Sequence, residues 1–366
     1  MIIAVNAVLA YEQPRGVGNY LNILLPALAE ADKTNEYYIY YGRWMGDYVF
    51  TKIQQDNFHL VELDIRQDQI SRNLFLAVRL PQIVKKLQAD VYWVPDSQAT
   101  LFKPCRMIST IHDLAEYVVP QKYSAKTAAI RRMYVKHQVK ISDHIITVSE
   151  YSAKDMIARF GLSSDKVSVV YNALGHMDTD KPDRNEIDNC FLFVSEIERA
   201  KNLNVLIKAY ALLDKEIKDK YELHVVGKKG NNYEEISRLI SELGLESRVR
   251  FFGYLGKDEL SEMYRRAFAF VFPSLFEGFG FPVLEAMSLG VPVICSDVSS
   301  IPEVGGDAVL MFAPNDEKQL AEHMKKLVSD KELYDKLSEA GYKRSRIFSI
   351  QKMAEETKDV LTQKKE

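Results

Sequence analysis

Cysteine is scarce in this chain of 366 residues, which has only three. Cys105, Cys190 and Cys295 lie far apart, and each lies beside or within an apolar run. None belongs to a C-x-x-C pair or to a cysteine and histidine spacing that is typical of zinc. We therefore expect three reduced core residues in a cytosolic protein, rather than a disulfide framework or a zinc centre.

The sequence also has no long apolar run and no large excess of charge. No segment reaches the length of a membrane span. Residues 1–6 read as a strand, because they have neither the basic region nor the cleavage site of a signal peptide. The formal net charge is −3, which gives no electrostatic signature of nucleic-acid binding. We expect a soluble cytoplasmic protein that makes at most peripheral contact with the inner face of a membrane.

Length and periodicity predict two α/β domains. Apolar strand-like runs alternate with helical patterns along most of the chain, which is typical of parallel sheets with crossover helices. We predict a first Rossmann-like domain at residues 1–172, a polar linker at 173–189 and a second Rossmann-like domain at 190–346, with the two domains facing one cleft. A last helical segment follows at 347–366.

Short runs rich in β-branched and aromatic residues mark the strands. A helical period runs through residues 70–87, where Pro81 should kink or split the helix because it has no N–H and its ring crowds the preceding turn. The predicted strands lie near residues 2–8, 37–41, 59–63, 91–94, 107–111, 144–148 and 167–171 in the first domain, and near 191–194, 223–226, 249–252, 268–272, 291–295 and 309–312 in the second.

The most informative stretch joins a predicted strand to a predicted helix and holds two carboxylates, Glu277 and Glu285, with seven residues between them. Gly278 and Gly280 permit close backbone approach, and Pro282 suits the first turn of a helix. The loop follows the carboxyl end of a strand, where open α/β sheets bind ligands. By themselves, the two carboxylates also fit the acid/base pair of a hydrolase, or plain acids at a helix start.

This stretch closely resembles the E-x7-E signature of family 4 retaining glycosyltransferases, which have the GT-B fold. The resemblance covers nearly the whole chain. It implies that the second domain binds a nucleotide sugar, that the first binds the acceptor, and that the last helix crosses back to the first domain. The motifs occur in the family's order: Gly16 and Gly18, His112, Lys201, Glu277, Glu285 and Gly290-Val291-Pro292.

The resemblance also implies roles within the signature. Glu285 would accept hydrogen bonds from the ribose hydroxyls, and Glu277 would hold hydroxyls of the donor sugar. A buried carboxylate discriminates well in favour of a diol, because leaving it unpaired is costly. The loop between the two carboxylates would bind the donor sugar through its backbone, and the implied donor contacts there are Gly278, Phe279, Gly280 and Phe281.

A glycine pair, Gly16-Val17-Gly18, lies between the first strand and the first helix. A dinucleotide site would need a third glycine where Leu21 stands and an acidic residue after the second strand, where Gly42-Arg43-Trp44 stands. NAD binding is therefore not expected. Two interpretations remain: an ordinary tight turn, or a loop whose N–H groups approach a diphosphate or an acceptor at a helix N-terminus. Family members commonly have a similar G-x-G here, which implies that Gly16 and Gly18 contact the donor.

A polar pair, His112-Asp113, follows the predicted strand at 107–111. A single histidine is more often structural than catalytic, but this one lies at the edge of the sheet where ligands bind. The family usually has a histidine at this strand end, facing the donor sugar, which implies the same role for His112. Asp113 would either orient the imidazole or cap the following loop.

Lys201 is predicted at the N-terminus of the second domain's first helix, where its charge and the helix dipole would both face a diphosphate. The alternative is a surface lysine. The chain departs from the family's common pattern here at Ser195, at acidic Glu196 and at Ala200. Arg199 would supply the cation that is missing at position 196.

Several weaker features can also be explained by ordinary structural roles. The segment Gly253-Tyr254-Leu255 matches the family segment that meets the nucleotide base, which implies donor contacts at Tyr254 and Leu255. Ser149 is interpreted as a helix N-cap rather than a phosphate ligand. The basic helix before it is interpreted as a solvated face, with anionic lipid as the minor alternative; its basic residues are Arg131, Arg132, Lys136, His137 and Lys140.

Asp178-Thr179-Asp180 spells the D-x-D of metal-dependent glycosyltransferases. It lies in the predicted linker, away from any strand end, so we interpret it as accidental. We expect no metal ion, and no cofactor other than the nucleotide-diphosphate sugar that serves as co-substrate.

These features together predict a metal-independent, retaining hexosyltransferase with His112, Lys201 and Glu277 as catalytic residues. It would move a hexosyl group from a nucleotide-diphosphate sugar to a hydroxyl of a glycan, or of a glycan linked to a polyprenyl diphosphate. The family's breadth implies bacterial surface polysaccharide assembly. Two alternatives remain: a GT-B epimerase or phosphorylase, and a non-catalytic partner of an active glycosyltransferase, which only Glu196 and Ala200 favour.

Overall fold

The computed structural model describes residues 1–9, 16–97, 100–175, 184 and 186–363. The chain divides into two compact units. The first unit comprises Met1–Gly175 together with Phe348–Glu366, and the second comprises His176–Ile347. The last segment of the chain therefore belongs to the unit with which the chain begins.

The first unit is built on a parallel sheet. Its strands are paired in the order β3-β2-β1-β4-β5-β6-β7, so the order reverses between the first and the fourth strand in the chain. Such a reversal leaves a crevice at the carboxyl ends of the two strands. The strands are β1 (Ile2–Asn6), β2 (Glu36–Gly42), β3 (Phe58–Leu63), β4 (Val91–Val94), β5 (Arg106–Thr110), β6 (His144–Thr147) and β7 (Val167–Val169).

Helices cover both faces of this sheet, and the alternation of side chains along β1 shows it. Ile3 and Val5 point into one apolar cluster, whereas Ala4 points into another on the opposite face. A strand that is buried on both faces is typical of all-parallel sheets. The helices of this part of the chain are α1 (Val17–Ala31), α2 (Gln69–Leu74), α3 (Leu80–Leu87), α4 (Ala115–Val118), α5 (Ala125–Ile141) and α6 (Glu150–Phe160).

The second unit is built on another parallel sheet. Its strands are paired in the order β10-β9-β8-β11-β12-β13, which again reverses between two neighbouring strands. The strands are β8 (Asp188–Val194), β9 (Glu222–Val226), β10 (Val249–Gly253), β11 (Ala267–Phe272), β12 (Val293–Ser296) and β13 (Leu310–Phe312). The helices are α7 (Leu203–Ala211), α8 (Lys215–Lys220), α9 (Tyr233–Glu242), α10 (Lys257–Arg266), α11 (Phe281–Ser288), α12 (Ile301–Gly305), α13 (Glu317–Ser329) and α14 (Lys331–Ser345).

The final helix, α15 (Ile350–Thr362), packs against α1 in the first unit. Met353, Ala354 and Leu361 are buried in the same apolar cluster as α1 and β1. Arg106, the first residue of β5, donates from Nη1 to the Leu361 carbonyl at 3.1 Å and from Nη2 to the Val360 carbonyl at 3.3 Å. These bonds satisfy carbonyls that the end of a helix leaves without an intrahelical partner.

The predicted effect of Pro81 is confirmed. A π-helical turn at Phe75–Arg79 separates α2 from α3, and Pro81 lies in the first turn of α3. Because Pro81 has no N–H, the Ala77 carbonyl four residues earlier loses its usual α-helical donor. The Leu101 N–H replaces it at 3.1 Å. One proline thus draws a sequence-distant loop to the side of this helical segment.

The predicted strand at 291–295 begins two residues late, at Val293. Gly290 has a φ of 68°, and the Val291 N–H bonds to the Ala286 carbonyl near the end of α11 at 3.0 Å. The chain is therefore still capping the helix where a strand was expected. Helices α13 and α14 are separated at Asp330, whose Oδ1 accepts from the Leu333 N–H and caps α14.

We expect Arg106→Met to destabilise the first unit by about 1–3 kcal/mol, because it leaves two α15 carbonyls without their charged donor. The measurement is denaturant unfolding, combined with hydrogen exchange of the α15 amides, which should become faster. The matched control is Arg43→Met, which removes an exposed guanidinium paired with Glu62 and should change stability much less than Arg106→Met does. Equal effects of the two variants would contradict the role of Arg106.

Candidate active site

The predicted phosphate site lies in the loop after β8, and the E-x7-E motif begins in the loop after β11, which is followed in the sheet by β12. These strands are neighbours in the second sheet, and the strand order reverses between β8 and β11. The carboxyl ends of strands at such a reversal form the crevice in which open α/β sheets bind ligands. The side chains of these loops are therefore concentrated where a ligand site is expected.

Lys201 and Glu277 form an ion pair at this edge. Lys201 ends a short 3-10 turn, Arg199–Lys201, and its Nζ donates to Glu277 Oε1 at 2.6 Å. Only 17% and 14% of the two side chains are exposed. The Lys201 Nζ also lies 5.7 Å from the centroid of the Phe272 ring, within the range of cation–π attraction. A cation and a carboxylate that are 76 residues apart in the sequence thus share one shielded position.

Hydrogen bonds to Ala200 join the two loops that carry this ion pair. The Ala200 carbonyl accepts from the Leu275 N–H at 2.8 Å and from Ser274 Oγ at 3.2 Å. The methyl side chain of Ala200 is buried. The departure from the family pattern at position 200 therefore lies at a buried contact between the loops, whereas Glu196, another of the three departures, is exposed.

Two serines after β12 hold the backbone around Glu277. Ser299 Oγ accepts from the Glu277 N–H at 2.9 Å. Ser300 Oγ lies 3.0 Å from the Glu277 carbonyl and 2.9 Å from the Phe279 carbonyl, and it is fully buried. Sequence reasoning missed both residues. Their position directly after a strand end at the functional edge was the available signal.

Backbone conformations near the ion pair are unusual. Among the described residues, three that are not glycine have positive φ, and Asn202 at 53° and Ser299 at 51° are two of them. Asn202 follows Lys201, and Ser299 binds the Glu277 amide. Such conformations cost of order 1–3 kcal/mol each and persist only where surrounding bonds hold them. The Asn202 side chain is itself fixed by donation to the Pro314 carbonyl at 2.7 Å.

The remainder of the signature adopts the predicted loop and helix. Gly280 has a φ of 111°, which other residues rarely adopt, and it precedes α11, with Pro282 in the first turn. Phe279 is buried, and its ring centroid lies 5.3 Å from that of Phe281. Gly278 is half-buried. The predicted donor contacts of this loop therefore lie on backbone whose path is fixed by Gly280 and by Ser300.

Glu285 lies inside α11 rather than at its start, which argues against the helix-start interpretation. Tyr264 on α10 donates from its hydroxyl to Glu285 Oε2 at 3.1 Å. Burial raises the pKa of Glu285, while the hydrogen bond from Tyr264 opposes this shift. Burial beside the carboxylate likewise raises the pKa of Tyr264, so its hydroxyl keeps its proton and acts as the donor. The sequence carried no signal for Tyr264.

Close backbone packing fixes the start of the β8 loop. A Cβ on Gly227 would lie 1.9 Å from the Ser195 carbonyl oxygen, and one on Gly230 would lie 2.7 Å from the Ile197 carbonyl oxygen. The Ile197 N–H donates to the Lys228 carbonyl at 3.0 Å. The 227–230 loop therefore buttresses the backbone of the β8 loop.

Three other predicted donor residues lie at exposed or half-buried positions. Tyr254 is 73% exposed, and its ring centroid lies 4.8 Å from the Lys228 Nζ. Leu255 is half-buried. Arg199 is exposed, with its Nη2 3.5 Å from Glu235 Oε2. Its role as a substitute cation stays a prediction, because Glu235 is the acidic partner it has here.

The predicted residues of the first unit lie at the corresponding edge of the first sheet. Gly16 is the N-cap of α1, with a φ of 48°. Gly18 is buried in the first turn of α1, where a Cβ would lie 3.0 Å from atoms of the Tyr48 ring. The absence of a side chain at Gly18 thus has a packing reason. The donor contacts of Gly16 and Gly18 stay predictions.

The His112 imidazole has a defined orientation. Its Nε2 lies 3.1 Å from the Pro95 carbonyl oxygen, which can only accept, so Nε2 carries the proton. In the neutral ring, Nδ1 is then the acceptor. The Tyr20 ring packs edge-on against the imidazole at a centroid distance of 4.8 Å. Asp113 Oδ1 accepts from the Ala115 N–H at 2.9 Å, so its capping interpretation is confirmed.

Part of the positive charge on the basic helix α5 has a structural role. Arg131 Nε lies 3.6 Å from the buried carboxylate of Glu116, and Arg132 Nε donates to the Glu116 carbonyl at 2.8 Å. Lys136 and Lys140 are exposed, as predicted for a solvated face. The predicted N-cap role of Ser149 is confirmed, because its Oγ accepts from the Ser152 N–H at 3.2 Å.

The Asp178-Thr179-Asp180 triplet lies outside the described residues. Within the described ranges, no group of three or more His, Cys, Asp or Glu residues is arranged to hold a metal ion. No helix in the described part of the chain is long and apolar enough to cross a membrane. The three cysteines are free, with Cys190 and Cys295 buried and Cys105 half-buried.

Two family models match the chain, one on each unit. Residues 14–175 match the model described as Glycosyltransferase Family 4, and residues 177–344 match that described as Glycosyl transferases group 1. The chain belongs to glycosyltransferase family 4. The family predicted from the E-x7-E motif is thereby confirmed.

Curated relatives of this family 4 chain include mannosyltransferases of Escherichia coli. The chain is 29% identical to O-antigen chain mannosyltransferase B over 266 residues, which is 69% of each protein. It is 28% identical to the serotype-specific mannosyltransferase WbdA over 354 residues, which is 90% of this chain and 43% of WbdA. The chain thus spans less than half of WbdA.

Solved structures show the same fold. WaaG, a glycosyltransferase involved in lipopolysaccharide biosynthesis, superposes with a TM-score of 0.71 at 17% identity, and the alignment covers 100% of both chains. HepE of Anabaena, solved in complex with UDP and glucose, gives a TM-score of 0.70 at 16% identity over 99% of both chains. The predicted GT-B fold of this family 4 chain is confirmed.

We expect Glu285→Gln to stabilise the ligand-free protein increasingly as the pH rises. Burial raises the pKa of Glu285 in the folded protein above its usual value of 4.5. The protonated side chain therefore contributes stability below pH 4.5, and this contribution is lost as the pH rises through the folded-state pKa and Glu285 ionises. Glutamine keeps an acceptor for Tyr264 without this loss. The measurement is the unfolding free energy of variant and wild type between acidic and neutral pH.

The matched control for this prediction is Glu242→Gln, at an exposed carboxylate in the last turn of α9. Glu285→Gln should also weaken nucleotide-sugar binding by about tenfold or more, because a charged acceptor is replaced by a neutral one. A Glu285→Gln variant that becomes less stable than wild type with rising pH would contradict the prediction.

Proposed function

We propose that this protein transfers a hexosyl group from a nucleotide-diphosphate sugar to a hydroxyl of a glycan or lipid-linked glycan, with retention of configuration and without a metal ion. The observation that carries the proposal is the constellation at the strand reversal of the second sheet. There the Lys201–Glu277 ion pair lies on two loops that are hydrogen-bonded to one another, and the Glu285–Tyr264 pair joins helices α11 and α10. A cation for a diphosphate and two carboxylates for hydroxyls are the groups that such a donor requires.

In this proposal, Glu285 accepts hydrogen bonds from the ribose hydroxyls. Its raised pKa supports the assignment, because a buried carboxylate gains most from new donors when its charge is poorly solvated. Glu277 and the amides of residues 279–281 hold the transferred sugar. Tyr254 and Leu255 contact the base, and Arg199 adds charge near the diphosphate.

The proposed reaction breaks the bond between the anomeric carbon and the diphosphate oxygen and forms a bond from that carbon to the acceptor oxygen. The acceptor's proton passes to an oxygen of the departing diphosphate, and the products are the nucleoside diphosphate and the extended glycan. Lys201 stabilises the negative charge that develops on the leaving group. The acceptor attacks from the face that the diphosphate leaves, which retains the configuration.

The first unit contributes His112, Gly16 and Gly18 in this proposal. His112 contacts the transferred sugar, and the defined orientation of its ring by the Pro95 carbonyl supports a positioned role. The amides at Gly16 and Gly18 approach the diphosphate or the acceptor from the N-terminus of α1. The first unit is the proposed acceptor-binding domain, and the second is the proposed donor-binding domain.

The relatives support the proposed reaction class. The two Escherichia coli relatives carry names of mannosyltransferases, and the Anabaena structure was solved with UDP and glucose. The proposed setting is bacterial surface polysaccharide assembly at the cytoplasmic side of the membrane. The Lys201–Glu277 ion pair is intact, and the Ala200 side chain is buried between the loops that carry it. Both observations favour an active enzyme over a non-catalytic partner.

We expect Lys201→Met to lower turnover by about a hundredfold or more, because it removes the shielded cation that is proposed to stabilise the leaving diphosphate. The measurement is sugar transfer with the donor found by a thermal-shift panel of UDP-, GDP-, ADP- and dTDP-sugars. A donor at about a hundred times its dissociation constant should add about 2.7 kcal/mol of stability. Turnover and the shift should both persist in EDTA.

The matched control is Lys208→Met, at an exposed lysine on α7, which should leave turnover unchanged. The anomeric configuration of the product, read by NMR, tests retention. Near-normal turnover of Lys201→Met would refute the site. A nucleotide-sugar product without any acceptor would identify an epimerase instead, and the absence of any nucleotide-induced shift would favour a non-catalytic partner.

A further inference from the structure

One buried hydrogen bond in the second unit joins a tyrosine on α10 to a carboxylate on α11. The Tyr264 hydroxyl donates to Glu285 Oε2 at 3.1 Å. Tyr264 is 2% exposed, whereas Glu285 is only half-buried. The carboxylate therefore lies between a closed interior, where Tyr264 holds one of its oxygens, and a side that a ligand can reach.

The Glu285 carboxylate is poorly supplied with hydrogen-bond donors. A carboxylate offers about four acceptor positions on its two oxygens. Among the residues that the structure describes, Tyr264 is its donor, and its pKa reflects burial and Tyr264 without a neighbouring cation. Glu277, by contrast, has the Lys201 ammonium. The acceptor positions left open at Glu285, those of Oε1 above all, suit the hydroxyls of a ligand.

A purely structural role explains this hydrogen bond poorly. Apolar side chains join two helices at less cost, because replacing both partners of a buried hydrogen bond by apolar groups can be nearly neutral. Shielding a carboxylate from water without a cation is unfavourable, and burial accordingly raises the pKa of Glu285. The helix already packs through its apolar residues, and the buried ones are Val283, Leu284, Ala286 and Met287.

The Tyr264 hydroxyl is held in place through its ring. The ring centroid lies 5.3 Å from that of Phe270 on β11, and the Phe270 and Phe272 rings stack at 5.7 Å. All three side chains are buried. The Lys201 Nζ lies 5.7 Å from the centroid of the Phe272 ring. One face of β11 thus supports Lys201 and, through Tyr264, also Glu285.

We propose that Tyr264 is a positioning residue for the nucleotide ribose, because it fixes one oxygen of Glu285 so that the other is presented to the ribose hydroxyls. The protein accordingly prefers a ribonucleotide sugar to a 2′-deoxyribonucleotide sugar, and Tyr264 determines how strong this preference is. A fixed carboxylate cannot turn to compensate for a missing 2′-hydroxyl. An acceptor is then left unpaired in a shielded site, which is costly.

This inference deepens the proposed function, because it rests on the proposed contact between Glu285 and the ribose. It does not depend on sugar transfer, since a nucleoside diphosphate has the ribose and needs neither an acceptor nor a transferable sugar to bind. Binding of a nucleoside diphosphate therefore tests the inference, whereas transfer tests the proposed function separately.

The test is calorimetric titration with UDP, GDP and ADP, followed by titration with the 2′-deoxy form of whichever binds. In wild type, loss of the 2′-hydroxyl should weaken binding about a hundredfold. Tyr264→Phe keeps the ring and removes the hydroxyl, so it should weaken the ribonucleotide about tenfold and the deoxynucleotide much less. The preference for ribose should then fall about tenfold. In transfer assays, the donor KM should rise while kcat stays near that of wild type.

A double-mutant cycle tests whether Tyr264 acts through Glu285. In a Glu285→Ala background, Tyr264→Phe should change the affinity for the ribonucleoside diphosphate less than about twofold, because the carboxylate that Tyr264 positions is absent. A full tenfold loss in that background would overturn the inference.

The matched control is Tyr210→Phe in the same unit. Tyr210 is fully buried on α7, and its hydroxyl donates to the Tyr221 carbonyl at 2.6 Å, so this variant also loses one buried hydroxyl bond. It should keep the wild-type preference for ribose. Thermal unfolding establishes that both single variants are folded.

Three further results would overturn the inference: equal binding of the two nucleotide forms by wild type, an equal loss of both forms in Tyr264→Phe, or no binding of any of the three diphosphates. Sugar transfer by wild type alongside either of the first two results would leave the proposed function intact. A ribose preference that Tyr264→Phe reduces, in a protein that transfers no sugar, would instead support the inference and refute the proposed function.

Discussion

The candidate site depends on the ion pair between Lys201 and Glu277, which joins loops from two neighbouring parallel strands. Each partner offsets the cost of withdrawing the other from water. The pair forms because the Ala200 carbonyl binds the Leu275 N–H and because Ser299 holds the Glu277 amide. Under the proposed function, a nucleotide sugar offers Lys201 a diphosphate and Glu277 hydroxyl donors. Both groups would then exchange one partner for another when the donor binds.

The same region concentrates features that do not favour stability. Glu285 is held where burial disfavours its charge, and Asn202 and Ser299 adopt left-handed backbone conformations. The surrounding structure offsets the cost of such features, and here it is a six-stranded sheet in which the strands next to the site, β8, β11 and β12, are mostly buried. This distribution is expected of a site selected for binding rather than for stability.

Pro81 shows how a local property acquires a distant consequence. Its missing N–H predicts a break in the helical period, and the break is found at the π-helical turn before α3. The identity of the replacement donor, Leu101, was not predictable, because it depends on where the loop after β4 passes the helix. One hydrogen bond thus fixes the place of a loop that is distant from Pro81 in the sequence.

The sequence by itself determined the periodicity of both sheets, the break at Pro81, the loop and helix of the E-x7-E motif, and through them the family. These features arise from the properties of adjacent residues, which act within a few turns or strands. Only the tertiary structure decided that Lys201 meets Glu277, that Tyr264 meets Glu285, and that α15 completes the first core. Such contacts depend on which strands become neighbours and on how far each loop extends. Residues far apart in the chain are joined by the packing of whole elements, and no local pattern encodes that packing.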